Sequence, residues 1–153
     1  MQFDGVAIDP SQMLATAIVH NCSFVARGYA GDLKTLSSLL KRAIDHRGLS
    51  LVDIIQPCIT WGNHPVSWYE ERAIPIPDDH DPTDVSSALS LALETANSFP
   101  IGVLYEQLPR ETFGDAYTQR MGNQPLFKLP HLDRKIVQTK LNTFRVEQTA
   151  ISD

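Results

Sequence analysis

Cysteine is scarce in this chain, with two among 153 residues, Cys22 and Cys58. Neither belongs to a C-x-x-C pair. A disulfide framework is therefore excluded, and no complete metal site can be written from these residues alone. Long apolar runs are also missing. None approaches the ~20 residues of a membrane span, and no basic-then-apolar leader opens the chain, so the expectation is a cytoplasmic protein with no membrane partner. There is no glycine-rich phosphate loop either. Gly28 and Gly31 stand isolated, and Lys34 is not preceded by the pattern that cradles a nucleoside triphosphate. Glu70 and Glu71 are adjacent on an expected helix and point in different directions, which argues against a paired acid and base. His20, His46, His64 and His131 show no ligand spacing such as i, i+4.

What is present reads as one soluble globular domain, with 42% apolar and 20% charged residues. The net charge of -5 is uneven. Residues 1–105 hold 6 Lys and Arg against 12 Asp and Glu, whereas residues 106–153 hold 7 against 6. Arg120, Lys128, Arg134, Lys135, Lys140 and Arg145 face Asp133 alone within 120–145. Such a stretch suits a solvated face, a partner subunit or an anionic ligand; no aromatic stacking platform or nucleic-acid motif accompanies it, so nucleic acid is not an expected partner.

The elements follow from periodicity. Asp9 and Pro10 make a cap and first-turn proline for a short helix over 12–20, with Met13, Leu14, Ala17 and Ile18 on one face. Residues 23–27 form a compact strand, with Cys22 a core residue beside it. Asp32 caps a helix whose stripe is Leu33, Leu36, Leu39, Leu40, Ala43 and Ile44, and Gly48 stops it. Leu49 to Ile55 is a short β-branched run of the kind buried on both faces of a parallel sheet, ended by Gln56-Pro57-Cys58. That places Cys58 at the carboxyl end of a core strand, where ligands bind in open α/β sheets; a buried structural thiol explains the same residue. A short helix with Trp68 and Tyr69 follows over 66–73. With Pro75 and Pro77, residues 74–77 are not expected to form a ladder strand and read as an extended segment on the surface or at an edge. Asp81 with Pro82 caps a helix to about Asn97 carrying Val85, Ala88, Leu89, Ala92, Leu93 and Ala96, so the acidic cluster Asp78, Asp79, His80 and Asp81 reads as a helix cap before a cation site. Residues 101–105 are the last strand. Beyond Glu106 the pattern weakens to one amphipathic helix over 132–144. Arg27-Gly28-Tyr29 ends its strand and suits a cofactor or subunit interface as well as plain surface structure.

Four blocks in order carry a resemblance: Phe24 to Asp32, Ile55-Gln-Pro-Cys58, His80 to Asp84, and Pro100 to Tyr105. Together they resemble the carboxyl-terminal half of the beta subunit of 2-oxoacid:ferredoxin oxidoreductases, over roughly residues 5–110. The resemblance implies an α/β fold of the thiamine diphosphate-binding type, three-layered, mostly parallel and incomplete on its amino-terminal side. Residues 1–112 would be half of that domain and 113–153 a basic tail packing on the domain or a partner. It also implies oxidative decarboxylation of a 2-oxoacid to an acyl-coenzyme A with electrons passed to ferredoxin. The cofactors would be thiamine diphosphate, Mg2+ and a 4Fe-4S cluster, for which Cys58 resembles the fourth thiolate ligand. No residue here is implied to be catalytic. The other three thiolates and the Gly-Asp-Gly diphosphate motif are not in this sequence, so the implied partners are the rest of the beta subunit and an alpha subunit, with ferredoxin and coenzyme A met through the complex. The competing expectation is a non-catalytic α/β interaction domain.

Overall fold

The structure, a computed structural model, describes residues 11–62, 64–94, 97–107, 110–128 and 133–144. The chain divides into two compact units, Met1–Asp115 and Ala116–Asp153. In the first, α1 (Met13–Val19), β1 (Phe24–Tyr29), α2 (Leu33–Asp45), β2 (Ser50–Ile55), α3 (Val66–Glu70), β3 (Ala73–Pro75), α4 (Val85–Leu93) and β4 (Phe99–Glu106) follow one another, and α5 (Phe113–Met121) begins there. The second contains α6 (Arg134–Thr143) after a 3-10 turn at Leu126–Lys128.

Four strands form one sheet in the order β2-β1-β4-β3. β1 runs parallel to β2 and β3 parallel to β4, while β1 and β4 are antiparallel. The fold is thus α/β, with a mostly parallel sheet and helices on both faces. β1 is buried at every position. Its Val25 joins Leu14 and Ile18 of α1, Cys22, Ala88 and Ala92 of α4, and Leu104 and Tyr105 of β4 in one core. Phe24 and Ala26 point the other way, onto Leu39 of α2. This alternation is what a pleated strand between two helix layers requires.

Local chemistry sets the ends of these elements. Asp32 caps α2 by accepting from the Thr35 backbone N–H at 3.0 Å. Gly48 follows at φ +153°, a conformation open to glycine, and any side chain there would collide with the Ser23 hydroxyl. α4 begins later than its sequence suggests. Its cap is Asp84, which accepts from Ser86 and Ser87, while Asp81 closes a tight turn with Thr83; the helix ends at Leu93.

Other expectations are corrected by the packing. β2, with the composition of a strand buried on both faces, lies instead at the sheet edge, half-buried, with Ile54 exposed; the strand buried on both faces is β1. Of the α2 stripe only Leu39 is buried, whereas Leu33 is 70% and Ile44 81% exposed. Met13, placed by periodicity on the inner face of α1, is exposed as well. The proline-rich segment does enter the ladder, as the edge strand β3, because its pairing runs through Ala73 to Pro75 on the outermost position. α5 has no apolar period to reveal it. Its signature is a capping box in which Thr112 Oγ accepts from the Asp115 N–H at 3.1 Å and Asp115 accepts from the Thr112 N–H at 3.0 Å. The expected Asp9 cap, Ala96, His131, Leu132 and Arg145 lie outside the described residues. No described helix is long and apolar enough to cross a membrane.

Candidate functional site

β2 delivers the chain to Gln56-Pro57, where the ladder stops, and the next five residues turn back on themselves. The Gly62 N–H donates to the Cys58 carbonyl at 2.8 Å, closing a single helical turn. A side chain at Gly62 would strike that carbonyl, so glycine is required for the turn to close this tightly. Within the turn the Trp61 N–H donates to Cys58 Sγ at 3.3 Å. The backbone N–H groups of Trp61, then Thr60 and Gly62, hold the Cys58 thiol below its ordinary range, against a small opposing effect of burial. Hydrogen bonds to sulfur favour the thiolate, the form that binds metal and acts as nucleophile.

Cys58 is exposed, in contrast to the buried thiol that residue statistics favour. It lies in an open cleft of about 410 Å³ with Gln56, Pro57, Ile59 and Thr60. Ile59 and Trp61 are 89% and 74% exposed. Cys22, as expected, is a core residue: it is buried and its Sγ donates to the carbonyls of Phe24 and Leu49. The two cysteines therefore differ in surroundings, one open with its thiol held below the ordinary range, one closed in the core.

The remaining sequence candidates are structural. Arg27 is buried and bonds Asp53 Oδ2 at 2.9 Å across the β1–β2 pair, with its second contact at the carboxyl end of α4 on the Glu94 carbonyl. The surface role expected for Arg27 is thus replaced by a buried tie between the two strands. Tyr29 is also buried, and burial together with the nearby Glu70 charge pushes its phenol above the ordinary value. His80 spans two elements, with Nε2 on the Leu104 carbonyl at 2.8 Å and Nδ1 on the Ser87 hydroxyl at 3.0 Å. A donor is required at the carbonyl, so Nε2 carries a proton, and Nδ1 pairs with the Ser87 hydroxyl. His80 is a staple and not a ligand. His64 stacks on Trp68 at 4.0 Å, and Arg72 lies over the same ring at 4.2 Å, which anchors the chain beyond the Cys58 turn.

Among the described residues, His46 makes an arrangement suggestive of nucleophilic catalysis. Its Nε2 is 2.9 Å from Ser23 Oγ, and its Nδ1 is 3.8 Å from Glu106. Ser23 is completely buried and its hydroxyl is already committed to the Leu49 carbonyl, so no substrate reaches it. Sequence reasoning does not anticipate the Trp61 and Gly62 N–H groups around Cys58. The usable signal is a glycine four residues after the cysteine.

A family model for the C terminal of the pyruvate ferredoxin oxidoreductase beta chain matches residues 58–120, beginning at the exposed cysteine. The chain resembles the carboxyl-terminal part of 2-oxoacid:ferredoxin oxidoreductase beta subunits. It is 37% identical over 112 residues to the 2-oxoacid:ferredoxin oxidoreductase subunit beta of Sulfolobus sp, covering 65% of this chain and 36% of that protein. To the corresponding subunit of Saccharolobus solfataricus it is 33% identical over 119 residues, covering 70% and 39%. Among solved structures it superposes on a 2-oxoglutarate:ferredoxin oxidoreductase from Magnetococcus marinus with 2-oxoglutarate, coenzyme A and succinyl-CoA bound, at a TM-score of 0.71 and 26% identity, over 89% of this chain and 46% of that one. The chain thus spans well under half the length of the beta subunits it matches. The family match also extends through most of α5, past the last of the residue blocks that carry the resemblance.

Among the described residues no group of three or more His, Cys, Asp or Glu is placed to hold a metal ion. Cys58 has features of a single thiolate ligand: it is exposed, its sulfur accepts a backbone N–H, and those hydrogen bonds hold its thiol below the ordinary range.

Proposed function

We propose that this chain serves as the carboxyl-terminal part of the beta subunit of a 2-oxoacid:ferredoxin oxidoreductase, and that Cys58 supplies one of four thiolates to a 4Fe-4S cluster. The observation that carries the reading is the presentation of Cys58 at the carboxyl end of β2, open to solvent and hydrogen-bonded through sulfur. Residues 1–112 form the portion of the thiamine diphosphate-binding domain, and the basic residues 113–153 pack on it or on a partner. Thiamine diphosphate and Mg2+ are held by residues outside these 153, as are the other three thiolates, because Cys22 is closed in the core. These residues alone are therefore not competent for the reaction.

The overall conversion is of a 2-oxoacid, coenzyme A and oxidised ferredoxin to an acyl-coenzyme A, carbon dioxide and reduced ferredoxin. A cluster supplies one-electron transfer, removing singly the electron pair left by decarboxylation. The residues present act on that chemistry indirectly. The Trp61 N–H stabilises negative charge on the Cys58 sulfur, Gly62 holds the turn closed, and β2 is tied to the core by Arg27 and Asp53. The assembly is completed by an alpha subunit and works in the cytoplasm. The choice among 2-oxoacids depends also on residues outside these 153.

The test is spectroscopic. The chain is co-produced with an amino-terminal portion of a beta subunit that bears C-x-x-C and Gly-Asp-Gly, and the cluster is followed by its charge-transfer absorbance at about 400 nm and by iron content. Cys58→Ser should remove or convert the cluster while Cys22→Ser leaves it. A full, unchanged cluster in Cys58→Ser overturns the assignment. A chain that joins the complex but leaves cluster and turnover unaffected would instead be a non-catalytic interaction domain.

A further inference from the structure

Two backbone bonds run from the far end of the turn after β2 back to its cysteine. The Gly62 N–H donates to the Cys58 carbonyl at 2.8 Å, and the Trp61 N–H donates to Cys58 Sγ at 3.3 Å. Residues 58–62 make one compact turn, so both bonds depend on the same closure. A side chain at position 62 would prevent it. An added carbon would strike the Cys58 carbonyl oxygen and stand 3.2 Å from its carbonyl carbon, and this neighbour is backbone, which cannot swing aside as the tip of a side chain can. Gly62 is not among the glycines at positive φ, which are Gly48, Gly102 and Gly122. Close approach, and not a left-handed backbone angle, is what the position demands.

The turn is also held at both ends. Upstream, β2 is tied to β1 by the bond between Arg27 and Asp53. Downstream, His64 lies flat on Trp68 of α3, with ring centroids 4.0 Å apart and planes 8° from parallel. Strain introduced at position 62 is therefore relieved by opening the turn, which draws the Trp61 N–H away from the sulfur.

We propose that Gly62 is a positioning residue for the redox potential of the cluster: by letting the turn close, it aims the Trp61 N–H at the Cys58 sulfur and raises the potential at which an electron is accepted. The inference rests on the proposed function, since it takes Cys58 as a ligand. Its physical basis is differential stabilisation. Reduction adds an electron whose charge is shared by the thiolate sulfurs, so an N–H aimed at sulfur bonds more strongly in the reduced state and favours it. The Trp61 N–H thereby eases uptake of the electrons left by decarboxylation, while lowering the driving force for their release to ferredoxin. The donor is backbone, and the indole, 74% exposed, has no part in it.

The experiment uses the complex of this chain with an amino-terminal portion of a beta subunit bearing C-x-x-C and Gly-Asp-Gly, titrated potentiometrically with the reduced cluster followed by electron paramagnetic resonance. Gly62→Ala should keep the iron content and lower the midpoint potential. Trp61→Phe retains the N–H and should leave the potential where it is. With tryptophan labelled by heavy nitrogen, pulsed resonance of the reduced parent complex should show a nitrogen coupling that weakens in Gly62→Ala and is lost in Trp61→Phe. In the chain alone, Gly62→Ala should keep the circular dichroism while the amides of residues 61 and 62 exchange at least about tenfold faster. An unchanged potential in Gly62→Ala, an equal fall in Trp61→Phe, no nitrogen coupling in the parent, or unaltered exchange would each overturn the positioning role. Cys58→Ser separates the two proposals. If that variant loses the cluster while Gly62→Ala leaves the potential unmoved, the positioning role alone fails; if it retains the cluster, the ligand assignment fails and takes the positioning role with it.

Discussion

Truncating Asp53 should destabilise the chain more than deleting the buried charge it serves. The Arg27 side chain is 6% exposed and that of Asp53 37%, with 2.9 Å between Nε and Oδ2. Asp53→Ala strands the guanidinium with one long contact, the Glu94 carbonyl at 3.5 Å. Breaking a buried pair this way costs ~3–5 kcal/mol, and the partial exposure of Asp53, which lets water take its place, lowers the expectation to about 2–3 kcal/mol. Arg27→Met removes the charge, keeps much of the volume and leaves Asp53 at a position water can reach, so about 1 kcal/mol or less is expected. Asp53→Asn keeps an acceptor and should fall between. Urea denaturation with an unchanged slope measures all three as midpoint shifts. If Arg27→Met proves costlier than Asp53→Ala, the pair stabilises by its own attraction and the argument from stranded charge is wrong.

Three further outcomes follow from the geometry. Iodoacetamide should label Cys58 rapidly, with a rate midpoint below the ordinary thiol value, whereas Cys22 reacts only on unfolding; equal labelling would contradict the N–H cradle at Trp61. Leu104, fully buried beneath α4, should cost ~2–5 kcal/mol on change to alanine, while Leu40, 38% exposed, should cost about 1 kcal/mol in the isolated chain, both read by denaturation. The carboxylates of Asp32, Asp81 and Asp115 are held below their ordinary values by Thr35, Thr83 and Thr112 respectively. Their contribution to stability is therefore present above the ordinary carboxylate pKa and is lost as pH falls through the lower folded values, and Asp115→Asn should flatten that acid limb when helicity is followed against pH.

Much of the site can be read from local chemistry. Cys58 after a proline-stopped apolar run implies a thiol at a strand's carboxyl end, because proline ends a ladder wherever the strand lies in the sheet. The same run implies burial on both faces, and there the reading overreaches: composition reports what a strand is made to be covered by, not whether the cover is among the residues at hand. α2 repeats the lesson. Its stripe is legible, but three of its six members face solvent, since periodicity finds an apolar face without finding what packs on it. Arg27 is misread for the opposite reason, because its burial depends on Asp53 of the neighbouring strand and the Glu94 carbonyl, far apart in sequence. The Thr112 and Asp115 capping box, by contrast, is present in the sequence and is masked by the weak apolar pattern after Glu106.

The sequence by itself determined the types of most elements, the family likeness and the place of Cys58 at a strand's carboxyl end, since these depend on short-range spacing and on residues a few positions apart. Only the tertiary structure decided which strand is central, that Arg27 and His80 are ties, and that β2 is an edge strand among the described residues. Strand order and burial are set by contacts between distant segments, and no local pattern encodes them.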